Sequence, residues 1–206
     1  MTADYIDLAT LKRNLGIGTA DTADDADLTR NITTVSRLID KYCGFPRRQF
    51  FAGSANEVRY FTADEYRAFW VDDITTVASI QADVDGDGVY EYTWTLGTDY
   101  HLSPYNAAGQ SRPYTRVELR TFGVTIMPVV RKGLKITGTW GWPAVPSEVI
   151  DACLLQCIRL HKRVVAPFGI APVPNIDGSG IRLLSKLDSD VELLLRALRR
   201  NPIAVG

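Results

Sequence analysis

The chain has 206 residues, 46% hydrophobic and 23% charged, a balance that buries a core without staples; its longest run free of Asp, Glu, Lys and Arg, residues 164–176, is broken by Pro167, Pro172 and Pro174 and is too short for the roughly 20 apolar residues of a membrane span. The acidic start MTADYIDLAT lacks the apolar stretch of a secretory leader, and three cysteines cannot all pair within the chain, so the sequence predicts a reduced, cytosolic setting. The net charge of −1 excludes an overall basic nucleic-acid binder, yet residues 1–100 carry 9 Lys/Arg against 17 Asp/Glu and residues 101–206 carry 14 against 7, a split that would suit one acidic and one basic face packing head to tail between copies.

In chain order, Ile6, Leu8, Leu11 and Leu15 predict a short helix stopped by Gly16 and Gly18. The acidic loop TADTADDAD follows, and Asp24 or Asp25 is placed to cap a helix over 25–42, whose apolar positions are Leu28, Ile32, Val35, Leu38, Ile39 and Tyr42. Gly44 supplies a left-handed end and Pro46 forbids continuation. From about 55 to 142 the texture changes to short β-branched and aromatic runs, EVRYF, AFWV, TTVASIQA, VYEYTWT, DYHLS, TRVELR and GLKITGTW, separated by turn residues. These predict an antiparallel sheet with a hairpin at Asp85-Gly86-Asp87-Gly88 and longer loops at 104–115 and 121–132. Helical periodicity returns over 147–164, with Pro146 in the first turn and Val149, Ile150, Cys153, Leu154, Cys157, Ile158, Leu160 and Val164 on a broad apolar face. APFGIAPVPNIDGSG reads as a linker, and a capping box of Ser189 and Glu192 opens a last helix over 189–200 with Val191, Leu194, Leu195 and Leu198, ended by Pro202.

The expected fold is therefore α+β in a single domain spanning 1–206: a small helical bundle built from residues 1–48 and 146–200, an inserted antiparallel sheet region over 55–142, and a tail over 201–206. Leu38, Ile150, Leu154 and Leu195 are expected in its core, and the chain beyond residue 198 is expected to be dispensable for folding.

Chemistry-bearing motifs are sparse. Asp83, Asp85 and Asp87 with Gly88 match the first half of a calcium loop, carboxylates at positions 1, 3 and 5, but position 12, which should bring a bidentate Glu, is Trp94, and the flanks read as strands. The bland reading, an Asp/Gly turn without metal, is preferred. Cys153, Cys157 and His161 lie at i, i+4 and i+8 of one helix, a rise of about 12 Å from first to last. One zinc could hold only two of them, with Cys43 or His101 completing the set, and buried apolar cysteines are the commoner case. There is no nucleophile motif; Gly16-Ile17-Gly18 and Gly178-Ser179-Gly180 do not extend to a phosphate loop; and Asp72 and Asp73 would face opposite sides of a strand. Arg47 with Arg48, the basic residues of 159–163 and those of 196–200 read as solvated turns and helix ends, without the interleaved aromatics of a sequence-specific nucleic-acid surface. No enzymatic site, cofactor or metal is expected.

The whole arrangement resembles the head–tail connector (adaptor, head-completion) proteins of tailed bacteriophages. The resemblance is carried in order by Asp24-Asp25 opening a helix that ends IDKYCGFPRRQF, the DVDGDG hairpin, TDYHLSPYN, ITGTWGWPAVPSEVIDACLL, APFGI, and SDVELLLRALRRNP, over about residues 5–202. The block Gly138-Thr139-Trp140-Gly141-Trp142-Pro143 with Val145-Pro146 is its most specific part. The resemblance implies a structural virion protein at the head–tail interface, assembled in the host cytoplasm. Copies would form a dodecameric ring under the portal, prolonging the DNA channel and docking the stopper or tail. Its partners would be the portal protein, a stopper or tail-completion protein, further copies of itself, and genomic DNA passing through without specific contacts; no membrane is implied, and a monomer before assembly is compatible with it. The chain end, Arg199, Arg200, Asn201, Pro202 and Ile203, is the implied portal-binding segment. The reading from a different class is a calcium-dependent β-rich binding module using Asp83, Asp85 and Asp87.

Overall fold

The structure, a computed structural model, describes residues 3–63, 65–120, 126–165, 170–171, 181–182 and 187–200. The chain is α+β and folds as two compact units, Phe45–Ala144, and Thr2–Gly44 with Val145–Gly206.

The first unit is a six-stranded antiparallel sheet of β1 (Glu57–Phe61), β2 (Ala68–Ala82), β3 (Tyr92–Trp94), β4 (Tyr100–Ser103), β5 (Tyr114–Leu119) and β6 (Leu134–Trp140). The order is β1-β6-β2-β5-β4, with β3 also paired to β2. Two sequence runs, AFWV and TTVASIQA, join into the single 15-residue β2, because irregularities after Trp70 and Ile74 let one strand bend and change partner, from β5 to β6 and β3. β6 alternates strictly, burying Leu134, Ile136, Gly138 and Trp140. These inward residues meet Phe69, Val71, Ile74, Ile80, Trp94, Tyr100, Leu102 and Val117 in one apolar core. Ala82 opposite Tyr92 closes the predicted hairpin.

The second unit packs α1 (Leu8–Leu15), α2 (Asp25–Cys43), α3 (Ser147–Val165) and α4 (Ser189–Arg196). Asp7 caps α1 by accepting from the Thr10 N–H at 2.7 Å. Neither Asp24 nor Asp25 caps α2 by its side chain: Asp24 occupies the cap position without a side-chain bond, and Asp25 is drawn 2.7 Å from the buried Lys12 ammonium. Gly44, at φ 111°, ends α2 as expected. Pro146 lies just outside α3, where its carbonyl accepts from Val149 and Ile150. The cap of α4 is Asp188, not Ser189, and Glu192 uses only its backbone there. The linker expected after α3 contains a short antiparallel ribbon, β7 (Ile170–Ala171) with β8 (Ile181–Arg182).

The bundle core corrects part of the predicted one. Leu195 is fully buried, but Leu38 is 40% exposed, Ile150 is exposed and Leu154 only half-buried. In α2 the buried stripe runs Leu28, Ile32, Val35, Ser36, Ile39, Cys43, and Leu38 falls well outside it at 100° per residue. In α3 the buried residues are Val149, Ala152, Cys153, Gln156 and Cys157, mostly small side chains, so the larger Ile150 and Leu154 stand to the side.

Candidate docking surfaces

The connector-like block Gly138–Pro143 is a backbone clamp within the sheet unit. Chain 47–53 is laced to it: Gly53 N–H donates to Trp140 O at 2.6 Å, Trp142 N–H to Gln49 O at 3.0 Å, Asp73 N–H to Arg47 O at 2.9 Å, and Gly141 N–H to Asp73 O at 2.6 Å. The approach is so close that a Cβ on Gly141, at φ 97°, would sit 1.9 Å from Phe51 O. On Gly138 it would sit 2.3 Å from Thr76 O. Inside the clamp the Asp73 carboxylate is buried. It accepts from Trp142 Nε1 at 2.9 Å and lies 3.1 Å from Arg48 Nε, while the Arg48 guanidinium stacks 5.4 Å from the Trp142 ring and 5.9 Å from that of Phe50. Arg48, read from sequence as a solvated turn residue, is thus part of a nearly closed polar cluster. Asp72, its neighbour in sequence, does face elsewhere, pairing with Arg59 at 2.8 Å.

The Asp/Gly loop is built on Asp83, which is buried and spends both carboxylate oxygens on the loop backbone, accepting from Gly86 N–H at 2.7 Å and Gly88 N–H at 3.0 Å. Asp85 and Asp87 accept from Asp87 N–H at 3.3 Å and Val89 N–H at 2.7 Å. Glu91 joins them: one carboxylate oxygen from each of Asp83, Asp85, Asp87 and Glu91 lies within 4.8 Å of the others. The sequence reading missed Glu91, which counting would have found, since it stands at position 9 of a loop that starts at Asp83. An all-oxygen donor set suits a hard cation. Its three outer residues are exposed, and all three aspartates already shape turns, as Asp in such turns ordinarily does.

Cys43, Cys153 and Cys157 are buried free thiols in the bundle. Cys153 Sγ lies 3.8 Å from Ser36 Oγ and Cys157 Sγ 3.9 Å from Asn31 O. The contact with Cys153, and then burial, push the Cys157 thiol well above its ordinary range, so it stays protonated, as suits a packing residue. Among the described residues the acidic loop is the one group of three or more potential ligands that converges; Cys153, Cys157 and His161 do not form such a group. His101 packs edge-on to Tyr105 in the sheet unit.

The basic chain end divides in two. Arg159, on α3, pairs with the Asp188 cap of α4 and fastens the two helices, helped by Gln156, whose Oε1 accepts from Asp188 N–H at 3.4 Å. Arg199 and Arg200 are anchored to the end of α2: the Arg199 guanidinium stacks 5.3 Å from the Tyr42 ring, and Arg200 N–H donates to Cys43 O at 2.9 Å, satisfying a helix-terminal carbonyl. The expectation that the chain is dispensable for folding beyond residue 198 is therefore corrected at these two positions. Asn201, Pro202 and Ile203 lie outside the described residues. Between α4 and the end of α2 opens a cleft of about 330 Å³ lined by Tyr42, Ser189, Glu192, Leu193, Arg196 and Arg199. Leu193 is 71% exposed at its rim.

No helix among the described residues is long and apolar enough to cross a membrane. No family model and no curated protein matches the sequence. The fold does match solved structures. A chain of the structure described as the virion of a native gene transfer agent (GTA) particle aligns at TM-score 0.59 and 20% identity, over 100% of this chain and 96% of that one. A chain of the neck of an empty GTA particle, computed with C6 symmetry, aligns at TM-score 0.56 and 16% identity, over 100% and 96%. The likeness establishes a shared fold along the full length of this chain.

Proposed function

We propose that the protein is a non-enzymatic structural component of the neck of a tailed, phage-like particle, a head–tail connector adaptor that forms a ring under the portal. The observation that carries the reading is the whole-chain fold likeness to a chain of a GTA particle neck, in which both proteins are covered almost completely. The six-fold symmetry of that neck is compatible with a ring of twelve or six copies. The ring would prolong the DNA channel and present a surface to the stopper or tail. The sheet unit fits a structural part, since its most constrained residues, Gly138, Gly141, Asp73 and Trp142, hold backbone together rather than face a cavity. Because Arg199 and Arg200 serve the fold, we assign portal contact to the chain end following them, 201–206, with Asn201, Pro202 and Ile203.

The test is truncation in the particle-producing host. Removing residues 201–206 should leave the melting temperature unchanged but yield DNA-filled or leaking heads beside free tails under the electron microscope. Normal particle yield refutes the role of the chain end, and absence of the protein from purified particles by mass spectrometry refutes the connector reading. The competing reading, a calcium-dependent binding module, rests on the carboxylates gathered at Asp83, Asp85, Asp87 and Glu91 and is separated by melting with calcium and with chelator.

A further inference from the structure

We infer that the cleft formed by Tyr42, Leu193, Arg196 and Arg199 is the receiving half of the contact between neighbouring copies, and that its occupant is the acidic α1–α2 loop of the next copy, centred on Asp21 and Asp24. The inference rests on the ring reading and adds to it the surfaces that meet.

Both halves belong to the helical unit and sit at opposite ends of one rigid element. α2 has 19 residues, a length of about 28 Å at 1.5 Å per residue. Asp24 is the cap at its start, and Tyr42 stands one residue from its last. The cleft and the loop of one chain therefore cannot reach each other, whereas the start of one α2 can meet the end of another. A contact between two different patches is heterologous and propagates head to tail, closing into a ring when the rotation allows.

The chemistry is complementary. The cleft carries two guanidinium groups against the single carboxylate of Glu192, and both Arg196 and Arg199 are exposed. Arg199 is held flat on Tyr42, which leaves its fork oriented before a carboxylate arrives. In the loop, the internal cations are committed elsewhere: Lys12 pairs with Asp25, and Arg30 with Asp27 at 2.8 Å. That leaves the exposed Asp21 and Asp24 carrying the excess negative charge, and Asp24 does not use its carboxylate to cap the helix. The loop also exposes Ala20, Ala23 and Ala26, small apolar side chains that suit the bare Leu193 at the cleft rim.

The test is a directional thiol trap on the full-length chain. Asp24→Cys and Arg196→Cys are exposed substitutions that leave folding intact, and the three native thiols are buried and do not compete. Under mild oxidation, a mixture of the two single variants should give a cross-linked dimer at least tenfold above either alone. The chain carrying both substitutions should give a ladder of multimers, and added salt should suppress both products. If the mixture gives no more dimer than the single variants, the contact is overturned. Light scattering on the same samples then separates the two readings: oligomers without the cross-link leave the ring standing on other surfaces, and a strict monomer at high concentration removes self-driven ring formation as well.

Discussion

Replacing Gly141 by alanine tests whether the GTWGWP block acts as a backbone clamp. The added Cβ would lie 1.9 Å from Phe51 O, far inside the 3.0 Å that real Cβ atoms respect, and φ is 97°. A side chain in the left-handed region costs about 1–2 kcal/mol. Relief of the clash must move 47–53 away from 140–142. That lengthens three hydrogen bonds, Gly53 to Trp140, Trp142 to Gln49 and Gly141 to Asp73, each worth about 1 kcal/mol. The sum, about 4–5 kcal/mol, is a large part of a stability of roughly 5–15 kcal/mol. It corresponds to a fall in melting temperature of about 10 °C or more at this chain length. Urea unfolding followed by tryptophan fluorescence reads it directly, because Trp140 and Trp142 flank the site. Two controls divide the effect. Gly88→Ala, at φ 91° with nothing within 4 Å, isolates the backbone strain of about 1–2 kcal/mol. Gly18→Ala, with open space and no positive φ, should stay within about 0.5 kcal/mol of the parent. If Gly141→Ala loses no more than Gly88→Ala, the clamp reasoning is wrong.

Three further outcomes are expected. Asp73→Ala leaves the mostly buried Arg48 guanidinium without its carboxylate and should cost about 3–5 kcal/mol by denaturant titration, whereas an exposed carboxylate such as Asp85 replaced by alanine should cost under about 1 kcal/mol. Asp40 is buried, and desolvation raises its pKa above the ordinary aspartate value despite the Tyr5 hydroxyl and Arg37. The folded state thus holds this proton more tightly than the unfolded state, so the contribution is greatest below the ordinary value and is lost as pH rises through the folded pKa; urea melts at stepped pH should show the stability of the parent relative to Asp40→Asn declining over that window, and a difference that grows with pH contradicts the assignment. Calcium and chelator should leave the melting temperature within about 1 °C, while Asp83→Ala, which strands two backbone N–H groups, should cost about 1–3 kcal/mol; a calcium-dependent rise abolished by Asp85→Ala with Asp87→Ala would favour the binding-module reading.

What could be read from the sequence was local. Helix spans near 25–43 and 147–165 follow from periodicity and from Gly44, and the strand runs and the Asp/Gly hairpin follow from composition and turn chemistry. Side-chain burial was legible only where the stripe was apolar. In α3 the inward face is written in Ala152, Cys153, Gln156 and Cys157, so hydrophobicity alone pointed to Ile150 and Leu154 instead. The merging of AFWV with TTVASIQA depends on which partner strands arrive, and no local signal encodes that. The Arg48–Asp73–Trp142 cluster joins three places far apart in sequence, and each of its members looks ordinary by itself. The anchoring of Arg199 and Arg200 was hidden for the same reason: a basic pair near a chain end reads as solvated until the helix end it caps is known.

The interleaved order of the two units has a consequence for synthesis. The sheet unit is continuous, Phe45–Ala144, and all its strands have been made before α3 begins. The helical unit is split, and the Ser36 hydroxyl on α2 waits for Cys153, 117 positions later, to cover it. At about 5–20 residues per second that interval is about 6–23 s, during which the apolar stripe of α2 is nascent and uncovered. The cleft beside Tyr42 is completed later still, when Arg196 and Arg199 are added. A surface completed so late is withheld from neighbouring copies while the chain is still on the ribosome, so polysomes, where identical chains are crowded together, do not seed premature association through it.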